Sequence, residues 1–401
     1  LYFWINYQNH NFFTFFYFVI LMDKKKLGII PVLVVIAFVF ALISSDNSID
    51  DTNTIIPQVS TQTNNESIGM VINSPSSSVT LQQLDDIFTD ASSSGIGRSN
   101  VYLYWNMIEP VEGKFDWLQS DILMGLNEKN NHKVTLYFSI INGETLGPFP
   151  NWIGKPTLNG INQDELVTVL DAVLSRYHII DSVIIAGETE SYFRYQEPFI
   201  PVYQELFSNV YDEIKQKHPD VIFGNSFALH NVLNKNLENV VHELSLGDFI
   251  AFSYTPTDTL NEISKSPDEA IEDLNQIFEI VPNKKIGFFE LSWSTSNFVE
   301  GSDDSQKLFV EKLFDFYAQK ESNIEFMTWF RYSDQQVNSC VKEEQKIGDQ
   351  TITLAGDSSL GGSEHVIERL NQYNCNTGFV DVNQNGKIGW NEFKTQIQML
   401  N

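Results

Sequence analysis

Basic residues are scarce in this chain. Its 25 Lys and Arg stand against 52 Asp and Glu, for a formal net charge of −27. Nucleic-acid phosphates are held by Lys and Arg, so this balance excludes nucleic acid as a partner. Cysteine is scarcer still, and the two residues present, Cys340 and Cys375, allow one disulfide at most. The seven histidines show neither H-x-x-x-H nor H-E-x-x-H spacing, so they offer no metal site. A Gly-rich phosphate loop is also missing. The first strand-like run leads into Ser74-Pro75-Ser76-Ser77-Ser78, which argues against a doubly wound dinucleotide fold. An acidic surface suits an enzyme acting on neutral polymers, and equally suits simple solubility in a saline medium.

Met22-Asp23-Lys24-Lys25-Lys26 precedes an apolar run over 27–43 and a polar exit at Ser44-Ser45-Asp46. This order describes a signal peptide or an uncleaved signal anchor over 22–45, with the lysines cytoplasmic and the rest exported. No small-x-small site follows Ile43, which leans toward the anchor. Residues 1–21 read as a non-native upstream extension, Met22 being the natural start; the alternative is a second apolar segment forming a hairpin. Residues 46–67, rich in Ser, Thr, Asn and Asp, read as a disordered tether carrying one acceptor sequon, Asn65-Glu66-Ser67. The expectation is an extracellular protein, secreted or membrane-anchored, that meets the membrane through this N-terminal segment only. In that compartment Cys340 and Cys375 are expected to pair and tie down the long loop after the last strand.

From residue 68 to 401 the pattern alternates. Strand-like runs fall at 69–73, 101–105, 134–141, 182–187, 221–225, 249–253, 285–290 and 324–330. Helical patterns lie near 81–91, 117–127, 163–175, 203–217, 233–244, 268–280 and 305–320, with apolar residues spaced by three and four. Eight strands alternating with helices predict an α/β chain folded as a monomeric (β/α)8 TIM barrel.

Two of these runs end in glutamate. Glu188 closes Ser182-Val183-Ile184-Ile185-Ala186-Gly187, and Glu290 closes Lys285-Ile286-Gly287-Phe288-Phe289. Carboxyl groups at the C-terminal ends of barrel strands point into the mouth, and two of them facing one mouth are the minimum equipment for glycoside hydrolysis. A competing register puts Glu190 in place of Glu188.

Trp105-Asn106-Met107-Ile108-Glu109-Pro110-Val111-Glu112-Gly113-Lys114-Phe115-Asp116-Trp117 resembles the W-x-x-I-E-P-x-x-G-x-(F/Y)-D-W segment after strand two of clan A glycoside hydrolases. Ala186-Gly187-Glu188-Thr189-Glu190-Ser191-Tyr192-Phe193 resembles the clan's G-N-E-x-(D/E)-x-Y-F pattern. Ile286-Gly287-Phe288-Phe289-Glu290-Leu291-Ser292-Trp293 resembles its P-I-x-x-x-E-x-G-W pattern. The resemblance implies a retaining hydrolase of β-linked glycans, with Glu188 as acid/base, Glu290 as nucleophile and a carbohydrate substrate. It also implies substrate contacts at Trp105, Asn142, Tyr254, Trp293 and Trp329, with Tyr254 orienting Glu290 and Glu109 structural. Gly187 departs from the pattern, because the clan's Asn there contacts the sugar 2-hydroxyl; its loss implies a different sugar, a substitute donor such as Asn142 or Asn225, or a weakened enzyme. Ser292 departs too, standing where Gly is usual.

One motif competes. Asp381, Asn383, Asn385, Gly386 and Glu392 fit a Ca²⁺-binding EF-hand loop, although Gly378 interrupts the incoming helix such a loop needs. The same stretch resembles the clan's barrel-closing turn. Two other readings therefore stand beside the hydrolase: a catalytically silent surface barrel that binds glycans or protein, and a Ca²⁺-binding surface protein.

Overall fold

The computed structural model describes residues 64–76, 78–337, 339–340 and 358–400. The expected upstream extension, the signal or anchor segment and the tether up to residue 63 lie outside the described residues. Among the described residues, no helix is long and apolar enough to cross a membrane.

Eight parallel strands close into a barrel: β1 (Asn65–Met70), β2 (Ile96–Tyr102), β3 (Lys133–Tyr137), β4 (Ile180–Ala186), β5 (Ile222–Ala228), β6 (Phe249–Tyr254), β7 (Lys285–Leu291) and β8 (Ile324–Trp329). Each strand pairs with the next in sequence, and β8 returns to β1. The helices are α1 (Leu81–Ser92), α2 (Trp105–Ile108), α3 (Leu118–Lys129), α4 (Gln163–Arg176), α5 (Thr189–Gln196), α6 (Ile200–Lys217), α7 (Leu229–Lys235), α8 (Glu238–Glu243), α9 (Pro267–Ile280), α10 (Asp303–Lys320), α11 (Ser358–Cys375) and α12 (Ile388–Leu400). Local chemistry sets the starts of the long ones. Ser266 and Glu269 form a capping box ahead of Pro267, and Thr80 with Gln83 forms another before α1.

The expected barrel is present, with boundaries that differ for identifiable reasons. β1 begins at Asn65, so the sequon belongs to a strand and not to the tether. β2 starts five residues before the expected run, at Ile96, because its inward positions carry Arg98 and Asn100, whose polarity hides the strand. β3 ends at Tyr137, and β5 runs on to Ala228. The helix expected over 233–244 is two helices, α7 and α8, separated where Asn236 adopts φ 52°.

Two apolar cores result. A large one lies between the barrel and its helices. A small one fills the barrel with Tyr137, Ile184, Phe249, Ala251, Phe289 and Phe326. Phe249 and Phe326 meet edge to face, with centroids 5.4 Å apart. Glycine makes room for both: a Cβ at Gly287 would lie 2.5 Å from the Phe326 ring, and one at Gly224 would lie 2.4 Å from the Phe249 carbonyl. Each such ring contributes about 1.5–3 kcal/mol by leaving water. At the N-terminal end of the barrel, Arg98 forms two 2.6 Å bonds to Asp181 and also donates to Thr135 and Ser182. Arg98 is buried in this contact, while Asp181 keeps about a third of its side chain exposed.

Beyond β8 the chain folds back over the barrel. Lys387 pairs with Asp334 at 2.7 Å, both side chains nearly buried. The expected disulfide forms between Cys340 and Cys375, with Cα atoms 5.6 Å apart.

Candidate active site

Glu188 and Glu290 line one cavity of about 100 Å³, together with Tyr102, Tyr104, Tyr137, Ser226, Ser253 and Phe289. A slip of register occurs beside each carboxylate. On β7, Phe288 is opposite Phe252 while Glu290 is opposite Ser253, so one extra residue is accommodated at Phe289. Phe289 and Glu290 consequently both face inward, where strict alternation would have turned one of them out. On β4, Ile184 and Ala186 are opposite the consecutive residues Gly224 and Asn225. Ile185 and Ala186 both join the outer core as a result, and Gly187 faces inward. Glu188 then reaches the mouth because its backbone is left-handed, at φ 48° and ψ 45°. For a residue with a Cβ, that conformation costs on the order of 1 kcal/mol.

The aromatic lining is contiguous. Tyr137 stacks on Phe289 with centroids 5.4 Å apart and planes 16° apart, while Tyr102 and Tyr104 approach Tyr137 at 5.4 and 6.2 Å. The Tyr102 hydroxyl donates to Glu290 Oε1. Burial pushes the Glu290 carboxyl up to about 7; the Tyr102 hydrogen bond opposes this, the Glu188 charge adds to it, and Arg331 opposes it. Glu188 keeps solvent access through the mouth, yet protein surrounds it closely enough that burial also raises its carboxyl above the usual range, with Lys235 pulling the other way.

Glu190, the competing register, lies off the cavity. It is fully buried and accepts from Ser191 Oγ, Ala228 N and Asn231 Nδ2 at 2.9, 3.1 and 3.2 Å.

Most of the expected substrate contacts lie elsewhere. Tyr254 does not reach Glu290. It is on the outer face of β6, and its hydroxyl donates to Asp273 of α9 at 2.7 Å, while its strand neighbour Ser253 takes the inward position. Asn225 falls mid-strand because β5 is longer than expected; it points outward to accept from Tyr203 and donate to the Leu244 carbonyl. Trp105 lies in α2 and not at a strand end. It is buried against Phe149 and Trp152, with its indole N–H on Glu109. Glu109 also accepts from Gly113 N, so it holds the turn after β2 together. Trp293 packs on Phe309 and donates to Ser305 of α10. Trp329 stacks on Phe379 under the returning C-terminal segment and donates to the Thr377 carbonyl. Asn142 alone stays near the cavity, through a 2.7 Å bond from the Tyr137 hydroxyl.

Sequence reasoning missed Tyr102, Tyr104, Tyr137, Ser226, Ser253 and Phe289. A signal existed at Tyr102 and Tyr104, where hydroxyl-bearing rings alternate with apolar residues at the end of β2.

In the proposed Ca²⁺ loop, both Asp381 oxygens accept from Asn383 and Asn385, and Glu392 pairs with Lys307 at 3.2 Å and accepts from Gln396. These carboxylates serve the turn and the α10–α12 contact. Among the described residues, no group of three or more His, Cys, Asp and Glu side chains is arranged to hold a metal.

No protein-family model matches the chain, and no curated protein does. Solved structures match its fold. A family 39 glycoside hydrolase from the gut symbiont Bacteroides cellulosilyticus WH2 aligns with TM-score 0.55 and 14% identity, over 84% of this chain and 64% of that one. A family 5, subfamily 18 enzyme from Bifidobacterium longum subsp. longum, in complex with Manβ1-4GlcNAc, aligns with TM-score 0.58 and 10% identity, over 84% and 78%. An apo β-glucosidase aligns with TM-score 0.54 and 13% identity, over 80% and 88%. The barrel is thus one shared with glycoside hydrolases of clan A.

Proposed function

We propose that this protein is a retaining β-glycosidase acting on oligosaccharide or polysaccharide outside the cell. The observation that carries the reading is the convergence of Glu188 and Glu290, from β4 and β7, on one cavity. Glu290 attacks the anomeric carbon while Glu188 protonates the leaving oxygen; Glu188 then deprotonates the water that cleaves the glycosyl ester. Such a cycle needs one proton on the pair, held by Glu188. Tyr102 favours that division by donating to Glu290 and stabilising its ionised form, against the burial that raises Glu290 to about 7. The cavity is well below the roughly 300 Å³ of drug-sized sites, which favours a single sugar ring at its base and the rest of a glycan along the rim. Export is supported by the basic-then-apolar pattern at 22–45 and by the Cys340–Cys375 bond, which suits an oxidising compartment.

The test is turnover of chromogenic β-glycosides by wild type and by Glu290→Ala. Wild type is expected to cleave at least one with retention. Glu290→Ala is expected to lose turnover and to regain it with azide or formate, giving a product of inverted anomeric configuration. Full activity in that variant would remove Glu290 from the mechanism.

A further inference from the structure

Gly187 and Tyr137 exclude one another. A Cβ built at Gly187 would lie 1.8 Å from the Tyr137 hydroxyl oxygen and 2.5 Å from its ring, far inside any permitted contact. The backbone around Gly187 has no freedom to retreat. Its N–H is shared between the Ile141 carbonyl and Ser139 Oγ, both at 2.9 Å, and its carbonyl accepts from Gly143 N at 3.0 Å. Tyr137 is held as firmly, stacked on Phe289 and hydrogen-bonded to Asn142. The tyrosine hydroxyl therefore occupies the space that a side chain at 187 would take, one residue before Glu188.

The hydrogen-bond directions around Asn142 decide what that hydroxyl can do. The Asn142 amide nitrogen donates to the carbonyls of Ser139 and Gly147, which leaves its oxygen facing Tyr137. Tyr137 must then donate its single proton to Asn142. Its oxygen keeps acceptor capacity beside the Ser139 hydroxyl, on a side chain that lines the cavity with both carboxylates.

Resting on the glycosidase reading, we infer that Tyr137, set by Asn142 and admitted by Gly187, is a specificity-determining residue that accepts a hydrogen bond from one substrate hydroxyl next to the reacting carbon. A ligand without a donor at that point leaves an acceptor position of that oxygen unmet, a loss on the scale of one hydrogen bond.

The experiment uses the full chain and a series of aryl β-glycosides that each lack one ring hydroxyl. Tyr137→Phe is expected to lower kcat/KM about three- to tenfold on the parent glycoside, the scale of one neutral hydrogen bond. On one deoxy compound, and only one, wild type and Tyr137→Phe are expected to be equal, the non-additivity that marks a direct contact. An equal loss on every compound would overturn the inference while leaving the glycosidase reading intact. A wild-type protein that turns over no glycoside would overturn both. The packing is tested separately by melting temperature: Gly187→Ala should lower it in the native background and have little effect when combined with Tyr137→Ala. An equal drop in both backgrounds would show that Tyr137 does not fill the space.

Discussion

The Tyr102 hydroxyl, carried by β2, donates to Glu290 at the end of β7, two strands that are not neighbours in the barrel. A hydrogen bond to a carboxylate favours its ionised form, so this contact works against the burial that pushes Glu290 up to about 7. Tyr102→Phe removes the donor, and the Glu290 pKa should rise further. The acid limb of the kcat/KM profile should then move to higher pH by about one unit, the lower end of what a hydrogen bond to a charged group is worth. A limb that stays in place, or moves to lower pH, would separate Tyr102 from the ionisation of Glu290.

The same carboxyl should tie stability to pH. Its pKa is about 7 in the fold and about 4.5 in an unfolded chain, so its contribution is fully present below about pH 4.5 and is lost as pH rises through 7. Glu290→Gln cannot ionise and escapes that loss. The variant should melt above wild type at about pH 8, by about 2–4 °C for each kcal/mol regained, and level with it at about pH 4. Calorimetry at the two values checks the sign.

For Glu188→Ala, the leaving group should decide the damage. Dinitrophenolate departs without a proton, so the first step with a dinitrophenyl glycoside should be largely spared while hydrolysis of the glycosyl ester slows. A poor leaving group such as a second sugar should lose about 100-fold or more, the usual scale of general acid catalysis. Pre-steady-state bursts measure the two steps separately. A uniform loss across leaving groups would point to a binding role, and leaving-group dependence in Glu190→Ala instead would move the acid by two residues.

The Cys340–Cys375 bond closes a segment with a sequence separation of 35 residues. Replacing both cysteines with serine should lower stability by about 2–4 kcal/mol, measurable by urea unfolding. In intact cells, added protease should release a fragment beginning within 46–64 that carries this bond. Two free thiols by alkylation and mass measurement would count against export, as would a barrel protected inside the cytoplasm.

The barrel and its two carboxylates were legible because β4 and β7 are apolar runs that end abruptly in Glu188 and Glu290. The rest of the site was concealed by register. Trp293 and Trp329 stand at or just past strand ends in the sequence, yet they turn toward α10 and the C-terminal segment. Asn225 looks like a strand end because the strand-like pattern stops three residues before β5 does. Tyr254 and Ser253 differ by one position, which on a strand is the whole difference between helix face and cavity. The strand-like pattern runs on to Ile141 and makes Tyr137 look mid-strand, yet it is the last residue of β3. No amount of motif matching corrects a strand boundary, since the pattern records residue types and the face depends on counting.

The irregular pairing at Ile185 and Phe289 means that the lining of the cavity depends on chain length as well as on chemistry. Deleting either residue would leave Glu188, Glu290 and every tyrosine of the cavity in the gene, and any scan for motif residues would still find them all. Without Phe289, Phe288 and Glu290 would stand in succession opposite Phe252 and Ser253, a regular ladder that still turns Glu290 inward, and the cavity would lose the ring on which Tyr137 stacks. The extra residue is therefore what lets one strand present two consecutive side chains, Phe289 and Glu290, to the same cavity.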